Sequence, residues 1–405
     1  MNESTTTDRQ GSETADPSRR HRAPTPIPLT ILTGFLGAGK TSLLNALLSH
    51  ADLADTVVII NEFGEIGLDH LFVETGDEGL ITLASGCLCC TIRGDLITTL
   101  EDLLRRRDNG RITPFRRVMI ETTGLADPAP VLHTVLYHPY LVKRFSVDGV
   151  VTVVDAVNGE ATLDNHPEAV KQAAVADRLV LTKTDLLAAD DPRLGALKGR
   201  LAALNPAAPI LVAAKGEATP AALIGIGLYD VDGKIADVRG WLQAEAFDDH
   251  HDHDHGHDHH HHDHAHGHAH AHAGDHHDVN RHDERIRAFC LTSDKPISTA
   301  NLEMFLDLLR SSHGPDLLRV KGLVALREDP ERPMVIHGVQ HVFHPPLQLP
   351  AWPDADHRSR LVFILRDLDA SFVSRLWTAF LGNPAIDTPD VTALTANPLA
   401  IPGLR

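Results

Sequence analysis

A chain of 405 residues with 42% hydrophobic composition can bury more than one core, and its length suggests about two or three domains. Its formal charge of −18 argues against a sequence-independent grip on nucleic acid or an anionic membrane surface, and no apolar run approaches the ~20 residues needed to cross a bilayer. Only four cysteines occur, three of them within four positions, which favours metal or redox chemistry in a cytoplasmic chain over a disulfide framework.

Residues 1–26, rich in Ser, Thr, Asp, Arg and Pro, read as a disordered tail. Arg19-Arg20 is not followed by a hydrophobic stretch, so no export signal is expected. From Ile27 onward, short β-branched runs alternate with helical patterns. Strands are expected over 28–33, 56–61, 117–121, 149–155, 178–182 and 209–213, with a helix over 42–49. A second helix over 95–107 places Leu96, Ile97, Leu100, Leu103 and Leu104 at helical spacing. Such alternation predicts an α/β domain with a mainly parallel sheet, over 27–246.

Residues 247–284 form a linker dominated by His, Asp, Ala and Gly, with sixteen histidines between His250 and His277. Globular patterning then resumes over 285–385 as a smaller α+β domain. It comprises strands over 286–291, 317–326, 334–343 and 360–365, a helix carrying Leu302, Phe305, Leu306 and Leu309, and a helix over 372–381. Residues 386–405 are a tail.

Residues 34–41 read Gly-Phe-Leu-Gly-Ala-Gly-Lys-Thr, between a strand and a helix. Glycines at this spacing let backbone N–H groups turn inward around phosphate oxygens, and the helix N-terminus adds partial positive charge. Gly34, Gly37, Ala38, Gly39 and Ser42 are therefore expected at the phosphates. Lys40 should reach the β- and γ-phosphates, and the Thr41 hydroxyl should ligate Mg²⁺. Glu121 ends a strand, where its carboxylate suits the Mg²⁺ shell, and Gly124 stands three residues on to sense the γ-phosphate. Leu125 occupies the position where some nucleotide hydrolases carry a water-orienting glutamine.

Base choice falls to Lys183 and Asp185 in Thr-Lys-Thr-Asp, after another strand. A carboxylate accepts two hydrogen bonds from the ring N–H and exocyclic amine of guanine, a donor pair that adenine lacks, so the nucleotide is GTP. Asn205-Pro206 either completes the base pocket or simply ends a helix.

Cys87, Cys89 and Cys90 lie between the phosphate loop and Glu121. A turn at the start of the following helix would gather the three thiols and lower their pKa, and thiolate is the ligand form. Three sulfurs suit Zn²⁺ or Cu⁺ far better than Mg²⁺ or Ca²⁺, and they leave one tetrahedral position exchangeable. The histidine tract, opening with His250, His251, His253, His255 and His257, offers many loose imidazole sites for Zn²⁺, Co²⁺ or Ni²⁺. His337, His341 and His344 read instead as packing or surface residues.

These motifs, together with Asn61-Glu62-Phe63-Gly64-Glu65, resemble the CobW-type metal-trafficking GTPases, a group that includes zinc-regulated GTPase metalloprotein activators and nitrile-hydratase activators. The resemblance spans roughly 27–385 and extends to Arg319-Val320-Lys321-Gly322 and His337-Gly338-Val339-Gln340-His341. It implies GTP hydrolysis coupled to delivery of a transition metal, commonly zinc, to a client metalloprotein. It also implies that the three thiols are the internal metal site and that Glu62 or Glu65 belongs to a switch segment. Assembly of a cobalt cofactor or of nitrile hydratase would use the same machinery. A passive zinc buffer would need only the histidine tract.

Overall fold

The computed structural model describes residues 25–62, 80–84, 90–188, 190–226 and 285–382. Each β-branched run of the first domain is followed by enough chain to cross back over the sheet, so neighbouring strands run parallel. Strands β1 (Ile27–Gly34), β2 (Thr56–Glu62), β3 (Leu80–Ala84), β4 (Arg117–Glu121), β5 (Phe145–Asp155), β6 (Arg178–Thr182) and β7 (Ile210–Val212) lie in the order β3-β2-β4-β1-β5-β6-β7. Every pair is parallel. Their connections carry α1 (Lys40–Leu48), α2 (Cys90–Asp108), α3 (Ala129–Tyr137), α4 (Leu141–Arg144), α5 (Gly159–Asn165), α6 (Pro167–Ala174) and α7 (Pro192–Leu204), and α8 (Pro220–Leu223) follows β7.

Both faces of this sheet are covered, so its strands are apolar on both sides. In β1, Leu29 and Ile31 pack with α2 and α3, whereas Leu32 joins Leu43, Leu44 and Leu47 of α1 on the opposite face. The α2 stripe of Leu96, Leu100, Leu103 and Leu104 is buried, and each such side chain contributes roughly 1.5–3 kcal/mol. Among the described residues no helix is long and apolar enough to cross a membrane. The chain order reverses at β1, which puts a crevice beyond the carboxyl ends of β4, β1 and β5.

The second sheet is antiparallel, in the order β11-β10-β9-β13-β8, with β12 paired to β10. Its strands are β8 (Ile286–Ser293), β9 (Leu317–Val324), β10 (Met334–Val339), β11 (Val342–Phe343), β12 (Leu347–Gln348) and β13 (Ser359–Arg366). Helices α9 (Thr299–His313) and α10 (Ala370–Phe380) cover one face, with Leu302, Phe305, Leu309, Val373 and Trp377 packed on Val320, Ile336 and Phe363. The strand expected over 334–343 is instead a tight hairpin. Val339 pairs with Val342 across Gln340-His341, and Gln340 takes a left-handed φ of 54°. That turn ordinarily announces itself with Gly or Asn, and here neither is present.

The opposite face of the second sheet lies against the first domain. A register shift in β9, opposite Ile364/Leu365, turns Leu317 toward α9 and Leu318 toward α6 and α7. Val339 and Val342 join the α3 cluster. Between these apolar contacts Arg319 pairs with Asp177 and donates to the Val175 carbonyl, and Lys321 Nζ stands 3.2 Å from Asp177 Oδ1. Burial alone would raise the Asp177 carboxyl, but the Arg319 and Lys321 charges hold it well below the usual carboxylate range.

His337 and His344 stack beside this cluster, with ring centroids 4.2 Å apart. Burial pushes the His344 imidazole down to about 4, reinforced by Arg319 and Lys321 and opposed by Asp177, and burial likewise pushes His337 well below its ordinary value. The unfolded chain protonates His344 near pH 6.5, whereas the folded chain keeps it neutral until about pH 4. Stability is therefore full above pH 6.5 and declines as pH falls toward 4, by ~3 kcal/mol for His344 alone. Urea midpoints at pH 7 and 4.5 should fall more for wild type than for His344→Phe, which keeps the stacked ring but cannot protonate. Equal falls would show that this histidine does not carry the acid sensitivity.

Candidate functional site

The loop between β1 and α1 is closed by Gly39, whose φ of 93° places it in the left-handed region as the helix N-cap. From there α1 opens with Lys40, a buried ammonium whose Nζ donates to the carbonyls of Gly34 at 3.0 Å and Phe35 at 3.2 Å. Thr41 Oγ1 donates to Glu121 Oε1 at 2.7 Å, joining the first turn of α1 to the end of β4. Two hard oxygens at this junction match a hard divalent cation such as Mg²⁺.

Gly37, Gly39, Lys40, Thr41, Ser42, Glu121, Gly124 and Lys183 line one cavity of about 510 Å³, shared with Leu36, Thr122, Thr123 and Leu125. Gly34 and Ala38 are not on this lining. The Ala38 carbonyl accepts from Thr182 Oγ1 at 2.6 Å, which ties the phosphate loop to the turn after β6. Gly124 passes so close to Leu36 that a Cβ added there would meet its backbone nitrogen at 2.5 Å. The loop after β4 therefore packs directly on the loop after β1.

Lys183 adopts a φ of 58°, and its Nζ is 2.8 Å from Asp155 Oδ2 at the end of β5. Burial would raise the Asp155 carboxyl. Hydrogen bonds from Lys183, the Asn158 side chain and the backbone N–H groups of Val157 and Asn158 hold it below the usual carboxylate range. Asp185 is exposed on the single 3₁₀ turn Thr184–Leu186, which packs against a matching turn, Ala213–Lys215, after β7.

Asn205 does not contribute to this region. Its buried Nδ2 donates to the carbonyls of Ala173, Ala174 and Ala176 at 2.9, 3.1 and 2.9 Å, so it closes the end of α6. Sequence reasoning also missed Asp155, Gln172 and the Ala213–Lys215 turn. Gln172 Nε2 donates to the carbonyls of Gly124 and Ala126 at 3.1 and 3.0 Å, holding the loop after Glu121 from the α6 side. Nothing local distinguishes such a glutamine from any other helical polar residue. The Ala213–Lys215 turn had a signal, since it follows a strand at the same sheet edge as Lys183.

β3 ends at Ala84 on the edge that carries the cavity, and α2 begins at Cys90. Cys87, Cys89, Glu65 and the tract 250–277 lie outside the described residues, as do the side chains of Cys90 and Glu62. Among the described residues no group of three or more His, Cys, Asp and Glu side chains gathers to hold a metal.

A glycine-rich loop leading from a parallel strand into a helix, with a buried lysine and a Thr–carboxylate pair at its mouth, defines a P-loop nucleotide hydrolase. Residues 28–212 match the family described as "CobW/HypB/UreG, nucleotide-binding domain", and residues 286–381 match "Cobalamin synthesis protein cobW C-terminal domain". The chain is 31% identical over 340 residues to the zinc chaperone YjiA of Escherichia coli, covering 84% of this chain and 94% of that one. It is 31% identical over 387 residues to the zinc chaperone CobW of Pseudomonas aeruginosa, covering 87% and 91%. Zinc-regulated GTPase metalloprotein activator 1 of Schizosaccharomyces pombe is 40% identical over 172 residues, 41% of each chain. The crystal structure of Zn(II)-bound YjiA GTPase from E. coli superimposes with a TM-score of 0.60 at 25% identity, covering 88% of this chain and 99% of that one. The chain belongs to the CobW family of P-loop GTPases, and the reaction it catalyses is hydrolysis of GTP.

Proposed function

We propose that this GTPase is a metallochaperone that holds a transition metal, zinc in the first instance, on Cys87, Cys89 and Cys90 and delivers it to a client metalloprotein. The observation that carries the proposal is the position of β3 and α2. The cysteines are bounded by Ala84 and Cys90, and β3 pairs with β2, whose Ile60 is in register with Glu121. A change at the phosphate end of the nucleotide thus reaches the thiols within two strands. The zinc named for the relatives supports zinc as cargo.

In this reading the backbone N–H groups of residues 34–42 take the phosphates, and Lys40 exchanges its loop carbonyls for phosphate oxygens, which are stronger acceptors. Asp185 reads guanine while the Lys183 stem, fixed by Asp155, lies along the base. Gly124 faces the γ-phosphate. Thr41 and Glu121 would hold Mg²⁺, which when bound neutralises charge building on the β- and γ-phosphate oxygens.

Three anionic thiolates within four positions should make one tight site. The tract 250–277 should make several weak ones, because its imidazoles offer many equivalent ligand sets. Deleting 250–277 is expected to lower zinc stoichiometry while keeping the tightest site, and changing Cys87, Cys89 and Cys90 to Ser should do the reverse. Competition titration against a chromophoric chelator measures both. If the deletion removes the tightest site, the chain is a histidine buffer rather than a thiol-based carrier.

A further inference from the structure

We infer that Gln340, contributed by the C-terminal sheet, is a positioning residue for GTP hydrolysis. It acts by fixing the loop 122–128 that follows Glu121. Gln340 Nε2 donates to Asp127 Oδ2 at 2.7 Å, a link between residues 213 positions apart. Asp127 Oδ1 accepts from the backbone N–H of Ala129 at 2.9 Å, so the same carboxylate also holds the first residue of α3. On its other side the loop is pinned by Gln172, and at Gly124 it is wedged against Leu36. At its start Thr122 also bonds Thr33 and the Leu32 carbonyl, so the loop is held from several sides, and the Gln340 contact comes from the other domain.

The anchor rests on a stiff support. Val339 and Val342 bury the hairpin in the α3 cluster, and Tyr137 Oη donates to the His341 carbonyl at 3.3 Å. Gln340 holds its left-handed φ at the tip, where the hairpin meets the loop. The wall of the cavity formed by Glu121, Thr122, Thr123, Gly124 and Leu125 is the segment this contact steadies. Base and inner phosphates fall to residues 34–42 and 182–185, none of which hydrogen-bonds Gln340, so the effect belongs to kcat and not to GTP binding. This inference rests on the assignment of Glu121 and Gly124 to the γ-phosphate end of the site, an assignment that Lys40→Ala tests without reference to Gln340.

Steady-state hydrolysis by the full chain with Mg²⁺ tests it. Gln340→Ala removes a hydrogen bond to a carboxylate and is expected to lower kcat about tenfold with KM for GTP unchanged. Gln340→Glu sets two carboxylates against each other and should lower kcat further. Adding Asp127→Asn to Gln340→Glu restores a donor facing an acceptor and keeps an acceptor for the Ala129 N–H, so kcat should return toward wild type. Two results would overturn the inference: wild-type kcat in Gln340→Ala, or a double variant as slow as Gln340→Glu.

Discussion

Lys40→Ala is expected to lower kcat for GTP by about 10²–10³-fold, the usual loss when one preorganised donor to developing negative charge is removed. Lys40 is only 8% exposed, and its Nζ already sits within hydrogen-bonding distance of two loop carbonyls. The ammonium therefore needs no large rearrangement to reach a phosphate oxygen at the same loop. Among the described residues the only other lysine or arginine on the cavity lining is Lys183, which Asp155 engages. The thiol site should still take zinc, because Lys40 begins α1 and the cysteines lie beyond β3. Phosphate release at saturating GTP, with zinc content measured on the same samples, checks both halves. Wild-type turnover in the variant would mean that the phosphates bind elsewhere.

Asp185→Asn should weaken GTP binding by about 10²–10⁴-fold, since two hydrogen bonds to a charged acceptor are worth roughly 1.5–3 kcal/mol each. Asp185 stands exposed on its turn, and the abutting Ala213–Lys215 turn bounds the same region. An asparagine presents an N–H where the guanine amine also presents one. Xanthosine triphosphate, with a carbonyl at that position, should therefore bind the variant better than GTP does. Wild-type protein that binds ATP as tightly as GTP in competition would refute the assignment of Lys183 and Asp185.

Features written in contiguous residues were legible in the sequence. The strands expected over 117–121 and 178–182 match β4 and β6, and the apolar stripe over 95–107 lies within α2. The phosphate loop could be read for the same reason, since its chemistry is carried by neighbours in the chain. Features defined by tertiary contact were not legible. β3 is five residues long and becomes a strand through pairing with β2. β5 begins at Phe145, before the expected 149, because a register shift at Leu29/Thr30 carries the strand past Asp148. The 334–343 hairpin turns at a glutamine held in place by a distant aspartate. Gln172 and Asp155 likewise take their roles from partners on other elements. Asn205 shows how a local pattern leaves two readings open: of base pocket and helix end, its place as the C-cap of α7 and its hydrogen bonds to the end of α6 select the helix end.

In the proposed carrier, nucleotide state and metal affinity at Cys87, Cys89 and Cys90 are coupled. Coupling free energy is reciprocal, so a GTP analogue that tightens zinc must itself bind tighter, by the same factor, when zinc is present. The direct measurement is titration of zinc into the full chain with Mg²⁺, in the presence of a non-hydrolysable GTP analogue, GDP or no nucleotide. The analogue is expected to tighten the highest-affinity site by about 5–150-fold relative to GDP, the usual range for coupled sites. Changing the three cysteines to Ser should abolish that difference. Equal zinc affinities in all three nucleotide states of the wild type would refute the coupling and leave GTP hydrolysis without a connection to the metal.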